Sequence, residues 1–215
     1  MFPSKTLPER RADFWVHAGG LAFLIPASIL LVREASARGD ALLNAAVVVY
    51  ACAALFSLGI SFAYHLLPRH DLRAVLRRWD HAAIYVVIAG VFGPLLVVCG
   101  TPSAFVILGL LWFFALIGVG FKLAGGNPDS PWSLMSYLGM GWFALFALPD
   151  FTAGLPKLSL ALIASGGIFY TVGTLFYRRK AMLYRYPIWH AFGTFGGLSF
   201  FASIWIAVAE AGVGP

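Results

Sequence analysis

The residues with the clearest chemical potential lie in the stretch 79–85, where Asp80 and His81 stand side by side. A basic loop, residues 73–78, precedes this stretch, and residues 86–99 after it are almost entirely apolar. Ionisable side chains at the edge of a membrane-length apolar segment are costly and usually face a protein interior or a wet cavity. Asp80 and His81 are therefore candidates for a functional site.

Two further histidines lie at the ends of apolar segments. His65 ends one such segment, and His190 lies near the start of the last one. Ser61 precedes His65 by four residues, so both share one face of a helix. Tyr186 has the same relation to His190. Imidazoles from different helices, together with a carboxylate, are the usual ligands of a zinc site that keeps one position open for water.

Within this group we assign Asp80 to the site. Its carboxylate could orient or deprotonate the water that occupies the open position of the zinc. Adjacent helical residues point about 100° apart. His81 therefore cannot aim inward equally, and we expect it to hold the ligands in position. The first apolar segment adds Glu9, Asp13 and His17, whose spacing of four residues places all three on one helical face.

Each of these residues also has an ordinary structural interpretation. Asp80 could cap its helix, since aspartate before an apolar run is a favourable N-cap. Glu9, Asp13 and His17 could form the polar start of a surface helix, and a single histidine near an interface is more often hydrogen-bonded than ligating. Taken singly, these interpretations are favoured. Taken together, polar groups from several helices at one depth favour a site, from which we exclude His70 as a solvated loop residue.

The elements that must position these residues are membrane spans. The chain is 60% hydrophobic and 11% charged over 215 residues, whereas soluble domains carry about 25% charged residues. Seven apolar segments approach the roughly 20 residues that a spanning helix needs. We therefore predict an all-α integral membrane protein, with a polar surface segment at 1–12 and a transmembrane domain at 13–209, whose spans lie at about 13–32, 42–66, 80–99, 103–123, 132–148, 158–177 and 187–209.

The distribution of basic residues predicts the orientation. Most of the lysines and arginines fall at one set of span ends, and only Arg33, Arg38 and Lys157 fall at the other. Because cytoplasmic loops carry the excess of basic residues, the N-terminus is expected in the cytoplasm and the C-terminus outside. The net charge of +6 could suggest binding to nucleic acid. The position of the basic residues in short loops between apolar segments argues against this interpretation. His65, Asp80, His81 and His190 then lie together on the cytoplasmic side.

At these residues the chain resembles the hemolysin III proteins of bacteria, relatives of the progestin and adipoQ receptors in a wider superfamily of heptahelical membrane proteins regarded as metal-dependent hydrolases. The resemblance covers almost the whole chain. It rests on ERRADFWVHAGG (9–20), SFAYH (61–65), RRWDHAAIYVVIAGVFGP (77–94) and YPIWHAF (186–192).

The resemblance implies a zinc site. In that family the second-span histidine and both histidines of a seventh-span His-x3-His motif bind zinc, with an aspartate and a serine nearby. Carried over by position, His65 and His190 match ligands, and Asp80 and Ser61 match the accompanying pair. Tyr186 stands where the motif has its first histidine, and a neutral phenol is a poor zinc ligand.

The identity of the third ligand is therefore open. Asp80 could ligate directly, giving a zinc site of two histidines and one carboxylate. Alternatively, His17 or His81 could supply a third nitrogen, or Tyr186 could bind after losing its proton. Our first choice is His65, Asp80 and His190.

Three classes of function are open at this point. The first is a zinc-dependent hydrolase of lipid amides or esters in the bacterial inner membrane, in which Asp80 handles the proton and Ser61 binds the water or the intermediate. Its partners would be membrane lipid and an amphiphilic lipid substrate. The second is a non-catalytic regulator or sensor of membrane lipid homeostasis. The third is a cytolytic pore, which is disfavoured because no span has a long polar stripe. The sequence does not indicate an oligomeric state.

Overall fold

The computed structural model describes residues 2–125 and 130–211, without the side chain of Pro131, and no strand occurs within these residues. The helices are α1 (Leu7–Ala37), α2 (Ala41–Leu66), α3 (Arg73–Cys99), α4 (Pro102–Leu123), α5 (Pro131–Phe143), α6 (Leu148–Gly154), α7 (Lys157–Arg178) and α8 (Arg185–Glu210). A 3₁₀ turn, Ala144–Ala147, joins α5 to α6. The all-α prediction is confirmed.

Within the part of the chain that the structure describes, seven helical stretches are long and apolar enough to cross a membrane, as predicted. Six of them are α1, α2, α3, α4, α7 and α8, and the seventh, Trp132–Gly154, runs through α5, the 3₁₀ turn and α6. The chain is therefore an integral membrane protein. The fifth span continues past the predicted end at residue 148 because the 3₁₀ turn leads directly into α6.

Helix α1 begins at Leu7, before the predicted start at residue 13, because a capping box stabilises its first turn. The backbone N–H of Glu9 donates to Thr6 Oγ1 at 3.3 Å, and Glu9 Oε2 accepts from the backbone N–H of Thr6 at 2.9 Å. These two bonds satisfy backbone donors that the first helical turn would otherwise leave unpaired. Part of the predicted surface segment is thus helical, and Met1 lies outside the described residues.

Helix α3 lies at the centre of the bundle. About 67% of an apolar 18-residue stretch of α3 is buried, against 22–39% of the corresponding stretches in the other six spans. It packs against α2, α4 and α8, and also against the shorter α5 and α6. The other helices expose large apolar side chains such as Trp15 and Trp132, as expected where lipid is the solvent.

The first and last helices pack against each other and close the bundle. Arg38, just after α1, donates to the backbone carbonyl oxygens of Ala209 and of Ala211, the latter at 3.0 Å. We call the opposite end of the bundle, where α1, α3, α5 and α8 begin and α2, α4 and α7 end, the basic end. It holds the candidate site, and its cytoplasmic orientation stays a prediction.

Candidate metal centre

One face of α1 carries the acidic part of the site. Asp13 and His17 are 0% and 1% exposed, and Glu9, one turn earlier, is also buried. Their spacing of four residues brings them to the same face of the helix, and this face packs against the bundle interior. They are thus not the exposed polar start of a surface helix.

Three side chains from three helices converge at this face. Asp13 of α1 contacts His190, in the first turns of α8, through Oδ1 and Nδ1 at 2.5 Å. Its other oxygen, Oδ2, lies 3.3 Å from Nδ1 of His65, in the last turn of α2. One ligand atom from each of the three residues falls within 4.8 Å of the other two. Asp13 therefore bridges the two histidines that the sequence predicted to meet.

The donor set fits a metal ion. Nδ1 of His65 is buried and has no hydrogen-bond partner among the described residues, since its geometry toward Asp13 is not that of a hydrogen bond. Buried polar atoms without a partner are rare and call for an explanation. Two imidazole nitrogens and one carboxylate oxygen are also a ligand set found in zinc sites with an open position. Asp13, His65 and His190 are the residues that could hold the ion.

His17 lies beside these three residues and links them to Ser61. Its ring centroid is 4.4 Å from that of His190 and 6.0 Å from that of His65. Nδ1 of His17 lies 2.8 Å from the backbone carbonyl oxygen of Asp13, which can only accept, so Nδ1 carries the proton. Nε2 is then free to accept from the Ser61 hydroxyl at 3.2 Å. Ser61 thus lies at the site, one histidine away from the candidate ligands.

Tyr186 forms an aromatic wall of the site. Its ring lies 4.8 Å from that of His65 and stacks at 6.3 Å on that of His190. The guanidinium of Arg185 covers the same ring at 4.2 Å. The position where the resembled family has a histidine therefore borders both candidate imidazole ligands.

Asp80 and His81 do not belong to the three-residue group. His81 Nδ1 donates to the backbone carbonyl of Arg77 at 2.9 Å, and its own carbonyl oxygen accepts from the Tyr137 hydroxyl at 2.9 Å. Asp80 Oδ2 lies 3.7 Å from His81 Nδ1. The roles predicted for these two residues stay predictions. The carboxylate that meets the histidines is Asp13, and its spacing from Glu9 and His17 was the signal available in the sequence.

Two non-helical segments at the basic end, one before α1 and one before α8, cover the site. Ser4, 3% exposed, donates from Oγ to Asp13 Oδ2 at 3.2 Å. Glu9 Oε2 also accepts from the Thr6 hydroxyl at 2.9 Å, while Oε1 accepts from the backbone N–H of Tyr184 at 2.9 Å. The segment before α1 and the loop before α8 are thus both tied to α1 above the histidines. Exposed His70 lies outside the site, where its ring meets that of Phe2 at 4.9 Å.

Comparison with known proteins agrees with this architecture. Residues 6–200 match the model of the family described as haemolysin-III related. A hemolysin-3 homolog of Bacillus subtilis (strain 168) is 32% identical over 198 residues, which are 91% of this chain and 92% of the relative. Hemolysin-3 of Bacillus cereus is 30% identical over 185 residues, 86% of this chain and 84% of the relative. This seven-helix membrane protein belongs to the haemolysin-III related family.

Proposed function

We propose that this protein is a membrane-embedded, zinc-dependent hydrolase of lipid amide or ester bonds, with Asp13, His65 and His190 as the zinc ligands. The observation that carries the proposal is the meeting of three ligating side chains from α1, α2 and α8, among them a buried His65 Nδ1 without a hydrogen-bond partner in the described residues. Such a group matches the requirement of a catalytic zinc site for three protein ligands and one open position.

Asp13 takes the place that a third histidine has in the resembled family. Tyr186 occupies the sequence position of that histidine and borders the centre with its ring. A carboxylate on α1 supplies the missing donor at 2.5 and 3.3 Å from the two imidazoles. The ligand set changes from three histidines to two histidines and one aspartate, and sets of two histidines and one carboxylate also occur in catalytic zinc sites.

A zinc ion held there would polarise a substrate carbonyl and activate water as a nucleophile. The protein's own groups prepare the rest of the site. The Asp13 carbonyl fixes His17 so that its Nε2 accepts a hydrogen bond from the Ser61 hydroxyl, and the oxygen of Ser61 can in turn accept a hydrogen bond from water. Asp80, which lies on α3 outside the three-residue group, is the predicted acid–base group.

The depth of the centre supports an amphiphilic substrate. Asp13 follows the first residue of α1 by six positions, a rise of about 9 Å along the helix axis. With the start of α1 placed at the membrane surface, this rise would bring Asp13 to the zone between lipid headgroups and acyl chains, where the amide or ester bonds of membrane lipids lie. The substrate would enter from the leaflet at the basic end, which we place at the cytoplasmic side of the bacterial inner membrane.

The test combines metal analysis with a hydrolysis assay on purified protein. We expect about one zinc per chain, together with release of fatty acid from a lipid amide or ester presented in mixed micelles. His190→Ala should abolish both the bound zinc and the activity. His70→Ala is the matched control, because this exposed histidine lies outside the centre. Hydrolysis at the wild-type rate by His190→Ala would rule out the proposed centre.

The second candidate, a non-catalytic regulator of membrane lipid homeostasis, is favoured by one feature of the same group. Asp13 already contacts both imidazoles directly, and Ser4 donates to it as well. Such a network can stabilise the packing of α1, α2 and α8 without a metal. Purified protein without stoichiometric zinc, combined with an altered lipid composition in cells that lack the gene, would support this candidate over the hydrolase.

A further inference from the structure

A groove with a cavity volume of about 390 Å³ opens on the outer side of α1 at the basic end. We call it the arginine groove. Its walls come from the first turns of α1, from the end of α2 and from the segment before α1. The lining residues that matter here are Phe2, Arg10, Arg11, Phe14, Trp15 and Leu66.

The arginine groove carries two positive charges, those of Arg10 and Arg11. Within residues 2–125 and 130–211, neither Arg10 nor Arg11 forms a salt bridge, and Arg10 Nε is buried without a hydrogen-bond partner. The two acids of the same helical turns are engaged elsewhere, since Glu9 accepts from Thr6 and Tyr184 and Asp13 contacts the histidines. The groove therefore offers guanidinium donors to an external anion.

The segment before α1 holds one of these arginines in place. The ring of Phe2 lies between two guanidinium groups, with Arg10 at 4.7 Å and Arg73 at 5.2 Å from its centroid. Arg73 is itself bound to the neutral backbone carbonyl oxygens of Tyr64 and Leu67, so its charge adds to that of the groove. Cation–π contact orders the guanidinium without neutralising it.

The apolar part of the groove follows directly below the arginines. Phe14 and Trp15 come four residues after Arg10 and Arg11, so each aromatic ring lies on the same face of α1, about 6 Å further along the axis. Trp15 is 72% exposed and Phe14 is 41% exposed. Charged donors at the membrane surface with aromatic surface one turn deeper match the order of phosphate and acyl chain in a phospholipid.

We propose that the arginine groove binds an anionic glycerophospholipid, whose phosphate accepts from Arg10 and Arg11 while an acyl chain packs on Phe14 and Trp15. Guanidinium groups suit phosphate because their planar donors match its geometry. The uncompensated positive charge selects an anionic headgroup over a zwitterionic one. Arg11 and Trp15 lie on the face of α1 opposite Asp13, whereas Arg10 and Phe14 lie at about 60–100° from Asp13 around the helix axis. The groove shares no residue with the proposed metal centre and does not depend on it.

The test measures which lipid stays bound. Full-length protein in nanodiscs of equimolar phosphatidylglycerol and phosphatidylcholine is released in a native mass spectrometer, and retained lipids are counted. Wild-type protein should retain phosphatidylglycerol in excess. The double variant Arg10→Gln/Arg11→Gln should lower this preference by about fivefold for each charge removed, whereas Arg10→Lys/Arg11→Lys should keep most of it. Zinc content should not change in either variant.

The matched control is Arg178→Gln/Arg179→Gln. These two exposed arginines end α7 at the same basic end but line no part of the groove. Equal retention of phosphatidylglycerol by the two glutamine double variants would overturn the proposal, because the preference would then come from net charge alone.

A second measurement uses the unmodified groove. Brominated phosphatidylglycerol should quench the emission of Trp15, obtained as the difference between wild type and Trp15→Phe, more strongly than brominated phosphatidylcholine at the same mole fraction. Equal quenching by the two lipids would contradict a headgroup-selective site.

Discussion

Replacing Asp13 with asparagine tests whether α1 supplies the third ligand of the centre. The amide has nearly the same size as the carboxylate and keeps one oxygen that can accept a hydrogen bond from His190. It removes the negative charge that lies 2.5 Å from His190 Nδ1 and 3.3 Å from His65 Nδ1. Because both imidazoles can remain neutral, Asp13→Asn leaves no isolated buried charge, and we expect the helix bundle to fold.

The size of the effect follows from the role of the residue. Partners that merely orient a metal ligand typically contribute 10–100-fold to metal affinity. Asp13 would bind the ion itself, so we expect Asp13→Asn to weaken zinc binding by at least about 100-fold, or about 2.7 kcal/mol. The matched variant is Asp80→Asn, which changes the carboxylate of α3 that lies outside the three-residue group. It should lower the rate of hydrolysis while the protein retains zinc.

The assay is zinc content by mass spectrometry, followed by competition with chelators of graded affinity in detergent solution. Size-exclusion profiles and circular dichroism establish that both variants are folded. The opposite pattern, full zinc affinity in Asp13→Asn and loss of zinc in Asp80→Asn, would refute the assignment from the structure. It would instead establish the ligand set predicted first from the sequence: His65, Asp80 and His190.

Two further predictions concern the bundle itself. A Cβ atom at Gly118 would lie 2.5 Å from Cε1 of the Tyr85 ring, so Gly118→Ala should destabilise the protein by roughly 1–3 kcal/mol. Gly120→Ala is the control, because a Cβ atom there meets nothing within 4 Å. Thermal unfolding of both variants in detergent measures the difference, and equal melting temperatures would contradict the prediction. Arg38→Ala should lower the melting temperature more than Arg33→Ala, an exposed neighbour, because only Arg38 donates to the carbonyl groups that end α8. Identical melting curves of the two variants would show that the hydrogen bonds from Arg38 to the end of α8 add no stability.

The fold was predictable from the sequence because lipid imposes a simple rule. Backbone groups inside a bilayer must be satisfied within the segment, so every long apolar run had to be a helix. The short connections could then place His65 and His190 at the same end. The sequence also contains a signal for the early start of α1, since Thr6 and Glu9 have the spacing of a capping box.

The identity of the third ligand was harder to predict. Asp13 and Asp80 both begin spans at the basic end, and helical spacing establishes which residues share a face but not which neighbouring helix that face meets. The choice depends on the rotation of α1 and α3, which is determined by packing throughout the bundle. The contact of Ser4 with Asp13 was beyond sequence reasoning for a related reason, because the path of a non-helical segment follows from the surface beneath it.

The closure of α1 on α8 has a consequence for how the protein is made. Asp13 and His190 are 177 residues apart, Glu9 and Tyr184 are 175 apart, and Arg38 and Ala211 are 173 apart. Synthesis therefore delivers α1 to the membrane long before its partners at either end exist. Until the final span is inserted, Asp13 has His65 of α2 beside it but lacks its contact with His190, and a polar group with incomplete partners is costly in a bilayer. The last helix thus completes the polar network of the first, and a nascent chain that stops before α8 would leave Asp13, Glu9 and Arg38 without these partners.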